Sequence, residues 1–220
     1  MDSERRELDD TLADLGTHWE IVATGITVKL YPSCAGTHPT LDVLLDVRRE
    51  MGFSATDVER VEIGVDGITP TVLLYDQPST GLEAKFSMPF CAAVAVVEGA
   101  VGVSAFDDEH LKDGRIRDFM PRVSMRVDST LDPLVPSLTQ ANVTVVMKDG
   151  RRISRDARGA RGYAERPASA SELDGKFLNC ASRVLDAGAA AALLAMLRDL
   201  ERLSTVGVLT EAARGRASRS

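Results

Sequence analysis

Between Lys29 and Asp42 the chain reads KLYPSCAGTHPTLD, which places a lysine, a cysteine, a histidine and two prolines close together. His38 is the first chemical candidate. An unperturbed imidazole titrates near neutrality, so it can take or give a proton next to an acid substrate. The plainer reading is a histidine that caps the following helix or packs the loop. Lys29 opens the stretch, and Lys85 sits downstream in EAKFS. An ammonium is a compact point charge suited to holding a carboxylate; a solvated lysine on a strand edge or helix surface is the alternative for each. Ser87 can donate to a ligand, or cap a helix that begins at Met88-Pro89. Cys34 has no partner motif for nucleophilic catalysis, and a small half-buried thiol is its default.

These side chains need a rigid frame. Pro32 and Gly36 punctuate the backbone, and Pro39 favours the first turn of a helix. Thr40 to Met51 has a helical apolar face at Leu41, Leu44 and Leu45, and Gly52 can end it. Trp19 to Tyr31 is rich in β-formers and is predicted as a strand, with Gly25 marking a bend. A loop held between two such elements can aim its side chains into a cleft.

Further along, Val61, Ile63 and Val65 alternate as a strand, as do Val123, Met125 and Val127. Asn142 to Met147 and Arg152 to Asp156 flank Lys148-Asp149-Gly150, a hairpin signal. Leu82 to Glu98 reads as two helical segments broken near Pro89, the second apolar all round from Cys91 to Val97 and therefore buried. Phe106 to Met120 reads as two short helices split at Gly114. Helices are predicted from Ser171 to Leu185 and Ala189 to Leu203, and Ser3 to Leu15 as a charged helix. Strands without regular βαβ alternation imply an α+β fold: a mixed, mainly antiparallel sheet of about four or five strands packed with helices, plus C-terminal helices. The division expected is a linker helix over 1–18, an α+β domain over 19–160, C-terminal helices over 161–208 and a disordered basic tail over 209–220.

The 220 residues are 44% hydrophobic and 27% charged, the balance of a globular domain, and the net charge of −7 offers no basic field for nucleic acid or an anionic membrane. No apolar run approaches the roughly 18 residues of a membrane helix. MDSERRELDD is not a secretory signal. Three widely spaced cysteines, Cys34, Cys91 and Cys180, suit reduced thiols in a cytoplasmic protein. No CxxC or HxxxH pair supports a metal site, His18 and His110 read as surface residues, and Asp107-Asp108-Glu109 reads as a solvated face. No GxGxxG, Walker A or GxSxG motif occurs.

Three stretches together resemble the MmgE/PrpD family, whose members include 2-methylcitrate dehydratases and cis-aconitate decarboxylases. KLYPSCAGTHPTLD is similar to its first signature in the C-terminal domain, PSTGLEAKFSMPFCAAVAVVEG (Pro78 to Gly99) to the second, and ERPASASELDGKF (Glu165 to Phe177) to a later part. The resemblance covers that C-terminal domain alone. It implies a partner in the family's all-helical domain, fused or separate, and assembly as a homo-oligomer, a homodimer in the first instance. It also implies cofactor-free lyase chemistry on a small di- or tricarboxylic acid, in propionate or related carboxylic-acid metabolism. The family's catalytic histidine from this loop falls at either the His38 or the Cys34 position, depending on the member. By resemblance His38 is the catalytic candidate, with Lys29, Cys34, Lys85 and Ser87 as substrate-binding candidates. Many members carry a tyrosine where this chain has Phe90, so that hydroxyl is missing.

Either a proton next to a carboxylate leaves with water, or a carboxylate leaves as CO₂. Both routes pass through a carbanion-like state that needs cations for the acid groups and a group to move the proton. The chain alone is expected to be weakly active or inactive. The rival expectation is a stand-alone, non-catalytic binding or assembly module, for which the start at Met1 and a credible first helix would allow.

Overall fold

A computed structural model describes residues 12–13, 15–134 and 139–214. The helix predicted over Ser3 to Leu15 falls almost wholly outside them. In chain order the described residues form α1 (Glu20–Ala23), α2 (His38–Met51), β1 (Val58–Val65), α3 (Thr69–Val72), α4 (Gly81–Ala84) and α5 (Met88–Glu98). There follow α6 (Asp108–Lys112), α7 (Gly114–Phe119), β2 (Val123–Val127), β3 (Gln140–Met147), β4 (Arg152–Arg158), α8 (Ala170–Ala181), α9 (Ala187–Arg198) and α10 (Val206–Ala213).

The four strands make one mixed sheet in the order β2-β1-β3-β4. β1 pairs parallel with β2 and antiparallel with β3, and β3 and β4 form the antiparallel hairpin. This is the α+β architecture the sequence implies. Alternation puts Val61, Ile63 and Val65 of β1 on one face, in register with Val145, Val143 and Ala141 of β3, and all six are buried. The opposite face is polar: Glu62 pairs with Arg152 at 2.7 Å, and the hydroxyls of Thr144 and Ser154 meet at 2.8 Å.

Two helices cover the apolar face and pack on each other: α2 lies against β3 and β4, and α5 against β2. In α5, Met88 and every residue from Phe90 to Val96 are buried. Its small and branched side chains let it sit between the sheet, α2 and α7. The break before it falls at Lys85 to Ser87, and Pro89 lies in the first turn of α5. There the missing N–H costs nothing, because a first-turn N–H has no carbonyl inside the helix to bond. Gly52 ends α2 at φ +65°, donating to the Arg48 carbonyl at 3.0 Å.

The strand predicted over Trp19 to Tyr31 does not form. Residues 20–23 are one helical turn, and the extended segment after it meets no sheet edge. One backbone tie to the fold is the Val28 N–H on the Gly162 carbonyl, at 2.8 Å. Trp19, Ile21, Val22 and Ile26 are 60–81% exposed. The C-terminal helices gather a small core of Leu185, Ala190 and Leu193, with Leu209 of α10 packed on it. That contact explains why helix continues to Ala213, past the expected start of a tail at 209. Ser169 rather than Ser171 caps α8, in a reciprocal capping box with Glu172.

Candidate functional site

The loop from Lys29 to His38 is built from hydrogen bonds its own sequence supplies. The hydroxyls of Ser33 and Thr37 meet at 2.8 Å, and Thr37 donates to the Cys34 carbonyl through both its hydroxyl (2.8 Å) and its N–H (2.9 Å). These bonds close the 3-10 turn Ala35–Thr37, which runs directly into α2. The Cys34 N–H donates to the Lys85 carbonyl at 2.9 Å, so the two candidate segments touch through their backbones.

Behind the loop lies a buried polar cluster. Tyr31 donates to the Asp42 carboxylate at 2.7 Å, and Arg161 approaches that carboxylate with its backbone N–H (2.7 Å) and its Nε (3.0 Å). The Arg161 guanidinium also reaches Asp46 at 3.2 Å and Glu172 at 3.4 Å. Burial, with the Asp42 charge beside it, raises the Tyr31 pKa, so its hydroxyl stays protonated. Burial opposes the charge on Arg161, but Asp42, Tyr31 and Asp46 outweigh it and raise its pKa. The charges are thus paired and hydrogen-bonded, as a buried ion cluster requires. The cluster pins the 159–166 segment to the start of α2.

His38 belongs to this inner layer. It is 1% exposed, and its ring meets Tyr31 edge to face with centroids 5.2 Å apart. Burial lowers its pKa to about 4, so the ring is neutral at pH 7. Its Nε2 lies 3.3 Å from the Ser33 carbonyl, which only accepts, so Nε2 carries the proton. The imidazole therefore stands behind the loop.

Lys29 is exposed and Lys85 half-buried. The Lys29 ammonium donates to the Ser33 carbonyl at 3.4 Å, and that of Lys85 lies 5.8 Å from the centre of the Phe106 ring. Among the described residues neither is in an ion pair. Cys34 is half-buried, while Cys91 in α5 is buried, and burial pushes its thiol up to about 12. Ser87 is fully buried and accepts from the Phe90 N–H at 3.2 Å, which makes it the cap of α5. Phe90 is core. His18 is exposed beside Glu20, whereas His110 is half-buried at 3.2 Å from Glu98. Among the described residues, no three His, Cys, Asp or Glu side chains gather as metal ligands would.

Beside Lys29 opens a cleft of about 570 Å³ between the 29–32 segment, the 98–104 turn and α8. Asn179 of α8 accepts from the Val103 N–H at 3.0 Å, which fastens the helix to the turn, and just beyond both Arg183 pairs with Asp107 at 2.5 Å. No local pattern in the sequence points to Arg161, or to the helix after Ser169 as a wall of the cleft.

Residues 31–202 match the MmgE/PrpD C-terminal domain, a span that includes the loop from Tyr31 onward, α5, the cleft walls other than Lys29 and Leu30, and the first two C-terminal helices. The chain belongs to the MmgE/PrpD family. Among curated MmgE/PrpD relatives, the cis-aconitate decarboxylase of Mus musculus is 23% identical over 215 residues, covering 94% of this chain and 43% of that protein. The cis-aconitate decarboxylase of Homo sapiens is 22% identical over 204 residues, covering 90% of this chain and 41% of that protein. The chain thus spans about two fifths of the length of these MmgE/PrpD relatives. No helix of the described residues is long and apolar enough to cross a membrane.

Proposed function

We propose that the chain is the substrate-site domain of a cofactor-independent lyase acting on a small di- or tricarboxylic acid. The observation that carries this reading is the backbone bond from Cys34 to Lys85, which brings together the segments of two lysines, Lys29 and Lys85, neither of them in an ion pair among the described residues. Such a pair can neutralise an acid whose charge shifts as a carbanion develops beside it. Decarboxylation of a cis-aconitate-like acid is the first reaction to test, because both relatives are named for it. Dehydration of a 2-methylcitrate-like acid would use the same cations. In decarboxylation the C–C bond electrons stay on carbon as CO₂ departs, and a proton then fills that position.

Within this reading Lys29 and Lys85 hold carboxylates, and Cys34 faces the reacting carbon. His38 sets the loop from behind as a neutral donor to Ser33, and Ser87 fixes the start of α5. Exposed Ile68, Leu74, Tyr75 and Leu82 and the arm of Trp19, Ile21 and Val22 supply apolar surface for an all-helical domain, which would bring further catalytic groups. The test is an assay of CO₂ release from cis-aconitate, and of water loss from 2-methylcitrate, with the chain joined to such a domain. Activity that falls at least about a hundredfold in Lys29→Met supports the reading. Equal activity in Lys29→Met contradicts it.

A stand-alone, non-catalytic binding or assembly module is the second reading. The outcome that selects it is a folded, single-species chain that binds no hydrophobic dye and no carboxylic acid.

A further inference from the structure

The cleft beside Lys29 has a chemical bias that its residue types alone conceal. Two carboxylates and two ammonium groups line it: Glu98, Glu172, Lys29 and Lys176. Both carboxylates are already engaged. Glu98 lies 3.2 Å from His110, and Glu172 accepts from the Ser169 N–H at 2.8 Å and faces Arg161 at 3.4 Å. The ammonium groups are not: among the described residues Lys29 has only the Ser33 carbonyl, and Lys176 has no hydrogen bond or ion pair. The cleft therefore presents two ammonium groups with no ion-pair partner among the described residues, Lys29 from the 29–32 segment and Lys176 from α8. The Asn179 amide adds a donor, since its oxygen is taken by the Val103 N–H while its nitrogen has no partner among the described residues. Between these points the walls are apolar, from Leu30, Pro32, Ala100 and Val101.

We propose that Lys29 and Lys176 form a two-point clamp for a small di- or tricarboxylate, each holding one acid group, with the apolar walls fitting the hydrocarbon between them. The clamp rests on the reading of this chain as a substrate domain for such acids, and it assigns to Lys176 a part in choosing among them. A monocarboxylate of the same length has nothing to give Lys176, so the clamp discriminates on the number of charges. A compact, strongly hydrated ammonium suits that work, because it binds a carboxylate only when the geometry returns what its hydration loses.

The experiment is calorimetric titration of the whole chain at low salt with cis-aconitate, and with crotonate as the monocarboxylate control. Lys176 is half-buried and unpaired, so Lys176→Met should leave the melting temperature unchanged. The clamp predicts that Lys176→Met weakens cis-aconitate about tenfold or more, that Lys176→Arg retains most of the affinity, and that neither changes crotonate binding. If Lys176→Met binds cis-aconitate as the wild type does while Lys29→Met loses it, the clamp is wrong and the substrate-domain reading stands. If the wild-type chain binds no cis-aconitate at about 10 mM, the domain reading fails and the clamp with it.

Discussion

The hydroxyl of Tyr31 donates to the Asp42 carboxylate at 2.7 Å and so ties together the two ends of the loop that carries Cys34. Arg161 completes the tie from far along the chain, with its backbone N–H and its side chain on the same carboxylate. The loop is shaped by this knot, not by the sheet. Its stability and the position of Lys29 should therefore respond to changes that touch no ligand.

Arg161→Met should be the most damaging of these changes. It leaves Asp42, which is 1% exposed, with Tyr31, the backbone N–H of residue 161 at 2.7 Å and a long 3.5 Å contact to Arg166. Removing one partner of a buried ion pair costs about 3–5 kcal/mol, and Arg166 should bring the loss toward the lower end. Asp42→Asn combined with Arg161→Met should recover part of it, because no buried charge remains. Urea unfolding midpoints of the three proteins check this; a single variant as stable as the wild type would show that the knot is not structural.

Gly162→Ala should displace the segment that carries Lys29. Gly162 has φ +93°, and an added Cβ would lie 2.0 Å from the Val28 carbonyl oxygen, which is backbone and cannot swing away. Gly150, in the β3–β4 turn at φ +88°, has open space at the same point and serves as the control. Its alanine variant pays only for the left-handed backbone, about 1 kcal/mol. Gly162→Ala should cost clearly more and should shift the amide resonances of residues 26–30. Equal losses in the two variants would mean that the close approach of Val28 is not required.

Stability should fall as the pH drops through the His38 window. Its folded pKa is about 4, against an ordinary value near 6.5, so between these limits the unfolded chain binds more protons. The contribution is complete above the upper limit and lost on approaching the lower one, about 3 kcal/mol in all. In His38→Gln that slope should vanish, whatever the baseline stability. A slope that persists unchanged in the variant assigns it to another group.

The three thiols should separate in reactivity. Cys34 is half-buried, Cys180 exposed and Cys91 buried with its thiol pushed up to about 12. Since the thiolate is the nucleophile, iodoacetamide should label Cys34 and Cys180 in the native chain and Cys91 only after unfolding. Cys180 also lines the cleft with Lys29, so a bound dicarboxylate should slow its labelling. Peptide mass mapping reads all three sites.

Much of the frame was legible in the sequence. The spacing of Leu41, Leu44 and Leu45 marked α2, Asp149-Gly150 marked the β3–β4 hairpin, and the apolar run from Cys91 marked the buried α5. Each of these signals lies within the element it specifies. The segment around Ile21 and Ile26 misled because β-formers declare a preference for extended backbone and say nothing of whether a sheet edge is free to receive them. The Arg161–Asp42 tie was hidden for a related reason: the residues are 119 apart in the chain, and no local pattern links them. His38 drew attention by its residue type, whereas its burial and its contact with Tyr31 are tertiary facts. Lys176 sits in a stretch, ERPASASELDGKF, that pointed to the family without pointing to a cleft.

The central claim is that the Cys34 loop and its lysines receive a small polycarboxylic acid. Backbone amide shifts of the whole chain titrated with cis-aconitate test it most directly. The account predicts saturable shifts at Cys34, Ala35 and Gly36 that disappear in Lys29→Met while the remaining spectrum is unchanged. Shifts confined to other surfaces, or none at about 10 mM ligand, would contradict it.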